Sequence, residues 1–239
     1  MAMTRNILVH DGPGGPFEAM AIADDSAAGP LPGVLLIPNV LGTKEADFAM
    51  AERVAALGHV VLVADVYGQG KRTTRADPDM GRYMAELNAD RALLKARLLR
   101  SLDVLRDLDG VDATRLAAIG YCFGGKCVLD LARCGAPIRG GVSFHGVYDP
   151  PPFANSAISA KLLISHGWDD PIAPPDAMVA LAHELTQAGC DWQVHAYGHT
   201  GHAFTDRDAN MPERGLAYQP DADRRSFRAM ADFLAEILG

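Results

Sequence analysis

Short apolar runs alternate with longer stretches in which apolar residues recur every three or four positions, and this alternation continues almost to the end of the chain. Residues 6–10 and 17–23 read as strands separated by Asp-Gly-Pro-Gly-Gly, a hairpin signal. Residues 34–37 are continuously apolar, the mark of a strand covered on both faces. Residues 44–57 place Phe48, Ala51, Val54 and Ala55 at helical spacing and stop at Gly58. A second buried strand is predicted over 59–64, a polar loop over 65–78, and one long helical region over 80–108 striped by Leu94, Leu98, Leu102 and Leu105. An apolar strand over 115–119 precedes a helical pattern carrying Cys127, Val128 and Leu131. Strands over 138–144 and 162–166, a Pro-rich loop over 149–153 and a helix over 176–188 follow. A strand over 191–197, an irregular segment and a helix over 223–238 complete the chain.

Strands alternating with helices predict an α/β fold, a mostly parallel twisted sheet covered by helices on both faces. No internal repeat, low-complexity tract or linker interrupts the pattern, so residues 1–239 are expected to form one domain. Ligands in such sheets bind at the carboxyl ends of the strands, which directs attention to the loops that follow them.

Composition narrows the function. A formal net charge of −8 without a basic stripe argues against nucleic acid or an anionic membrane surface as partner. No apolar run reaches the length of a membrane span, and the first eleven residues contain no signal-peptide core, so a cytoplasmic location is expected. The four cysteines (122, 127, 134 and 190) lack the paired spacing of a zinc site, and the last three read as core or helix-end residues.

One stretch carries chemistry. In Gly120-Tyr121-Cys122-Phe123-Gly124-Gly125, a residue flanked by glycines stands between a predicted strand and a predicted helix. That is the context of the G-x-S-x-G nucleophile elbow, with Cys in place of Ser. So sharp a turn crowds its neighbours, and it sets the sulfur at a helix N-terminus, where the dipole favours thiolate. An elbow calls for an acid and then a histidine, each after a later strand. Asp169 and Asp170 stand in the acidic turn after residues 162–166, and His199 and His202 follow the last strand. Spacing alone selects neither one aspartate nor one histidine. The same stretch fits G-x-x-x-x-G-K, but Cys127 stands where a phosphate-binding loop needs Ser or Thr, and Tyr121 and Phe123 would crowd the cradle. His195, His199 and His202 span a strand end and a Gly-rich loop rather than one helix face, so no metal site is expected. His145 reads as a hydrogen-bonded residue at a strand end near the pocket, and His166 as a packed turn residue.

Gly-Tyr-Cys-Phe-Gly-Gly, His-Gly-Trp-Asp-Asp-Pro-Ile-Ala-Pro and Gly-His-Ala-Phe together resemble the dienelactone hydrolase family of α/β-hydrolases, over nearly the whole chain. The resemblance implies an α/β-hydrolase fold, Cys122 as nucleophile, His202 as base and Asp170 as the acid that orients it. It places the oxyanion hole at the amides of Phe123 and Val40. The founding members carry a glutamate at the position of Asn39 that holds the resting thiol. Without it, Cys122 is expected to rest as a thiolate paired with the histidine. They also bind a substrate carboxylate with arginines; one of those positions is Asp206 here, and another falls near Arg82. Tyr67, Trp168 and the 65–78 loop are expected to wall the pocket.

The reaction implied is hydrolysis of an ester or lactone of a small molecule through an acyl-enzyme, without cofactor, by a monomer or homodimer. Two other readings stand beside it. One is a class I glutaminase-like cysteine amidohydrolase, although Phe204 occupies the position where that pattern carries Glu. The other is a non-catalytic small-molecule receptor or redox sensor on a hydrolase fold.

Overall fold

A computed structural model describes residues 3–26, 29–153, 155 and 157–239. The chain divides into two compact units, residues 1–118 with Leu238, and residues 119–237 with Gly239.

The first unit opens with β1 (Met3–Gly12) and β2 (Gly15–Asp24), an antiparallel hairpin in which Gly12 faces Gly15. Pro13 and Gly14 fill the turn, proline with its fixed φ and Gly14 at φ +88°, which an L side chain resists. Arg97, although buried, staples this turn: Nε donates to the Pro13 carbonyl and Nη1 to those of Val66 and Tyr67. β3 (Leu31–Ile37) and β4 (Val60–Val63) pair in parallel and are buried almost throughout, as continuous apolar runs require. Between them lies α1 (Glu45–Ala55), which buries Ala51, Val54 and Ala55 and ends before Gly58 at φ +95°.

The long helical region is two helices, α2 (Arg82–Ala89) and α3 (Arg91–Arg106). They break at Asp90, whose backbone leaves the helical region and whose carboxylate caps α3 by accepting the Leu93 N–H at 2.9 Å. The leucine stripe of α3 is buried, and Leu105 lies against Gly33 of β3, where a Cβ would come within 3.2 Å of it.

β5 (Val111–Tyr121) runs from the first unit into the second. There follow α4 (Phe123–Arg133), β6 (Gly140–Phe144), β7 (Lys161–Gly167), α5 (Pro175–Gln187) and β8 (Trp192–Tyr197). β6, β7 and β8 pair in parallel. Within the first unit the strands lie in the order β1-β2-β4-β3, and within the second in the order β6-β7-β8. β9 (Asn210–Met211), a 3-10 turn (Pro212–Arg214) and β10 (Leu216–Ala217) make a small ribbon before α6 (Pro220–Leu238). Gln219 caps α6 by accepting the Asp221 and Ala222 N–H groups, so the helix begins ahead of the expected residue 223. Ser226, Met230, Phe233, Leu234 and Ile237 form its buried face.

Among the described residues, no helix is long and apolar enough to cross a membrane.

Candidate active site

Cys122 is the single residue between β5 and α4. Its backbone is forced to φ 55° and ψ −112°, a strained combination for a residue with a Cβ. Its N–H donates to the Phe144 carbonyl at 3.0 Å, and its carbonyl accepts the Lys126 N–H at 3.2 Å. The glycines make the bend fit. A Cβ on Gly120 would fall on the Gly124 carbonyl oxygen, and one on Gly125 would lie 2.7 Å from Ser143 Oγ and 2.9 Å from Gly146 Cα. The thiol is half-buried. Phe123 opens α4, where the first backbone N–H groups face outward from the helix end.

The acidic turn after β7 distinguishes its two aspartates. Asp169 is exposed, whereas Asp170 is 1% exposed and its carboxylate is fully engaged. Oδ1 accepts the N–H groups of Ile172 (2.8 Å) and Ala173 (3.2 Å), and Oδ2 lies 2.7 Å from His202 Nδ1. The loop after β8 distinguishes its histidines in the same way: His199 is exposed and His202 is 2% exposed. Backbone bonds lace the two loops together, Trp168 N–H to the Tyr197 carbonyl and Asp169 N–H to the Thr200 carbonyl, both at 2.9 Å. Gly167 permits this approach, since a Cβ there would meet the Gly201 and Thr200 carbonyls. The small ribbon clamps His202 from the other side: its N–H donates to the Gly215 carbonyl at 2.7 Å, and its carbonyl accepts the Ala217 N–H.

Burial is the largest influence on the His202 proton and lowers its affinity. It is outweighed by negative charge on Cys122, the hydrogen bond with Asp170, interaction with the Cys122 sulfur and the Asp170 charge, so His202 is pushed up to about 10. Nε2 of His202 is buried.

Behind Asp170, the Tyr148 hydroxyl and His166 Nδ1 are 3.0 Å apart in a buried pair. Burial lowers His166, partly offset by the charge of Asp170, and burial then Asp170 raise Tyr148. His145 packs edge-on against His202 with ring centroids 5.1 Å apart. Neither the ring contact of His145 with His202 nor the bond to Thr205 carries a signal in the sequence.

The other expected site residues are placed as follows. Asn39 spends its side-chain oxygen on the Leu41 N–H (3.1 Å) and Lys44 Nζ (3.3 Å) in the turn after β3. Val40 lies in that turn, its carbonyl accepting the buried Tyr67 hydroxyl at 3.2 Å. Arg82 starts α2, bonded to the Asp79 carbonyl and stacked over Tyr83 at 4.7 Å. Trp168 is 46% exposed, with its ring edge-on to His166. Among the described residues, no group of three or more His, Cys, Asp or Glu side chains gathers as metal ligands.

The dienelactone hydrolase family model matches residues 17–238. The chain belongs to the dienelactone hydrolase family. It is 26% identical over 223 residues to a probable 2-oxo-3-(5-oxofuran-2-ylidene)propanoate lactonase of Bradyrhizobium, covering 84% of this chain and 85% of that one. Among solved structures it is similar to the protein described as m3DLH, with a TM-score of 0.94 and 34% identity over the whole of both chains. It is similar also to the dienelactone hydrolase-like promiscuous phosphotriesterase P91 from metagenomic libraries, with a TM-score of 0.93 and 34% identity, again over both whole chains. The α/β-hydrolase fold expected from the sequence is the fold of this family.

Proposed function

We propose that the protein hydrolyses ester or lactone bonds of small molecules by nucleophilic catalysis at Cys122, with His202 as base and Asp170 as its orienting acid. The observation that carries this reading is the buried Asp170–His202 pair, with the charge of Cys122 raising the proton affinity of His202. One group is poised to give up a proton and the other to hold it.

The thiolate of Cys122 attacks the carbonyl carbon, and the carbonyl π electrons move onto oxygen. The Phe123 amide at the start of α4 donates to that oxyanion, worth about 3 kcal/mol when preorganised. The tetrahedral adduct collapses as the ester C–O bond breaks, and the His202 imidazolium delivers its proton to the leaving alkoxide. In a lactone that alcohol stays tethered to the acyl group. Neutral His202 then takes a proton from water, the hydroxide adds to the thioester, and the Cys122 thiolate leaves, restoring the ion pair. The chain carries Asn39 where the founding members carry a glutamate that holds the resting thiol, and a standing thiolate–imidazolium pair is therefore part of the proposal.

The probable lactonase is a 26% identical relative, and P91, at 34%, is described as a promiscuous phosphotriesterase. A panel of p-nitrophenyl esters, small lactones with and without a carboxylate, and an activated phosphotriester tests the reading directly. Turnover of esters or lactones that disappears in Cys122→Ala supports it. Specific binding without turnover supports a receptor, and release of ammonia from glutamine supports the amidohydrolase.

A further inference from the structure

Four non-glycine residues among the described ones have positive φ: Cys122, His145, His199 and Ala203. Strain of this kind persists only where the surroundings over-determine it. Cys122 and Ala203 are accounted for by the elbow and by the turn that delivers His202. His145, at φ 37°, is not. It follows β6, is 2% exposed, and is held by its own N–H donating to the Ser165 carbonyl of β7 at 2.8 Å. Most of its side-chain contacts go to the loop that carries His202. Nε2 is 2.8 Å from Thr205 Oγ1, and the ring packs edge-on against His202 (5.1 Å) and Phe204 (5.0 Å). A strained backbone, a buried hydrogen bond and two ring contacts thus converge on residues 202, 204 and 205.

We propose that His145 is a positioning residue for His202: its ring abuts the imidazole of His202 while its bond to Thr205 fixes the next turn of the same loop, holding Nε2 towards Cys122. The inference rests on the function proposed above. Asp170 fixes one edge of the His202 ring, and a single hydrogen bond leaves the ring free to swing about that edge. A second contact, on another side, removes that freedom. His145 serves this role only while neutral, because an imidazolium there would repel the imidazolium that His202 must become. Burial, and after it the charge of His202, push the His145 proton affinity well below the ordinary histidine range. The titratable groups facing this pair are Asp170 and Cys122 around His202, and Tyr121 at the end of β5, whose ring lies 6.1 Å from that of His145.

The experiment compares His145→Asn, His145→Phe and Thr205→Val with the wild type. Asn tolerates positive φ better than other side chains and removes the ring. Phe keeps a ring without the bond to Thr205, and Val keeps the shape of Thr205 without its hydroxyl. For each variant, kcat and KM on a p-nitrophenyl ester, the pH midpoint of Cys122 alkylation and the thermal midpoint are measured. Loss of a positioning partner is expected to lower kcat about 10-fold or more in His145→Asn with KM little changed. The alkylation midpoint should rise, because a wandering imidazole stabilises thiolate less. His145→Phe and Thr205→Val should fall between His145→Asn and the wild type.

A merely structural His145 would lower the thermal midpoint and leave kcat and the alkylation profile of the folded fraction unchanged, and that result overturns the proposal. Should His145→Asn not fold, wild-type kcat and alkylation in Thr205→Val overturn it equally. If Cys122→Ala remains active, the proposed function fails. If Cys122→Ala is inactive and the three variants behave as wild type, only the positioning role fails.

Discussion

Asp170→Asn alters one charge and almost no shape. The asparagine oxygen still accepts the Ile172 and Ala173 N–H groups that hold the turn. What changes is the group facing His202: a carboxylate oxygen 2.7 Å from Nδ1 becomes an NH2. An NH2 donates, so Nδ1 must accept, the one proton of the neutral ring moves to Nε2, and Nε2 can no longer take a proton from thiol or water. The attraction between carboxylate and imidazolium at contact distance is about 4 kcal/mol at the effective dielectric of a protein. The charge-assisted hydrogen bond, about 2 kcal/mol, overlaps with that figure rather than adding to it. A cost near 4 kcal/mol corresponds to about a thousandfold loss in kcat/KM. The assay is steady-state hydrolysis of a p-nitrophenyl ester, run beside thermal unfolding to show that the variant is folded. A loss smaller than about tenfold in a folded variant would refute the reasoning, since the wrong tautomer alone should cost more.

Three further outcomes are expected. Iodoacetamide should alkylate Cys122 with a midpoint well below the free-thiol value of about 8.5, and a midpoint above about 8 contradicts the thiolate–imidazolium pair. His202 should titrate near 10 by NMR and lower in Cys122→Ala, because the sulfur charge is the largest raising influence. Its folded value lies above the ordinary histidine value, so the stabilisation it provides is full below about pH 6.5 and is lost as pH rises through about 10. An unshifted His202 in the variant would remove that explanation. Arg133→Met should destabilise by about 3–5 kcal/mol in denaturant unfolding, because it strands buried partners. Arg133 binds both oxygens of Glu184, pairs with Asp130 and donates to the Tyr148 and Asp149 carbonyls. A loss under about 1 kcal/mol would show that these groups find other partners.

The strands and helices that carry the site were legible because each is apolar in a way that only burial explains. Residues 34–37 and the leucine stripe of α3 are buried as their patterns require. Helix boundaries were less legible. Residues 80–108 read as one helix because Asp90 looks like any polar surface position until its carboxylate turns back to cap Leu93. The ribbon of β9 and β10 was invisible because its pairing, and the bonds from Gly215 and Ala217 to His202, come from chain segments meeting in space rather than from periodicity. The same limit applied to the choices between Asp169 and Asp170 and between His199 and His202. Adjacent aspartates and neighbouring histidines have equal chemistry on paper, and only the turn geometry that buries one of each separates them. His145 reads as a hydrogen-bonded strand-end residue near the pocket, but nothing in its neighbourhood along the chain announces Thr205, sixty residues away.

The central claim is that the acyl group passes through the sulfur of Cys122. Rapid quenching of the enzyme with a slow p-nitrophenyl ester, followed by mass spectrometry of the peptide containing residues 120–126, tests it most directly. The account predicts a burst of p-nitrophenol matched by one acyl adduct on Cys122 that decays at the turnover rate. Steady turnover with no adduct at that position, retained in Cys122→Ala, would contradict it.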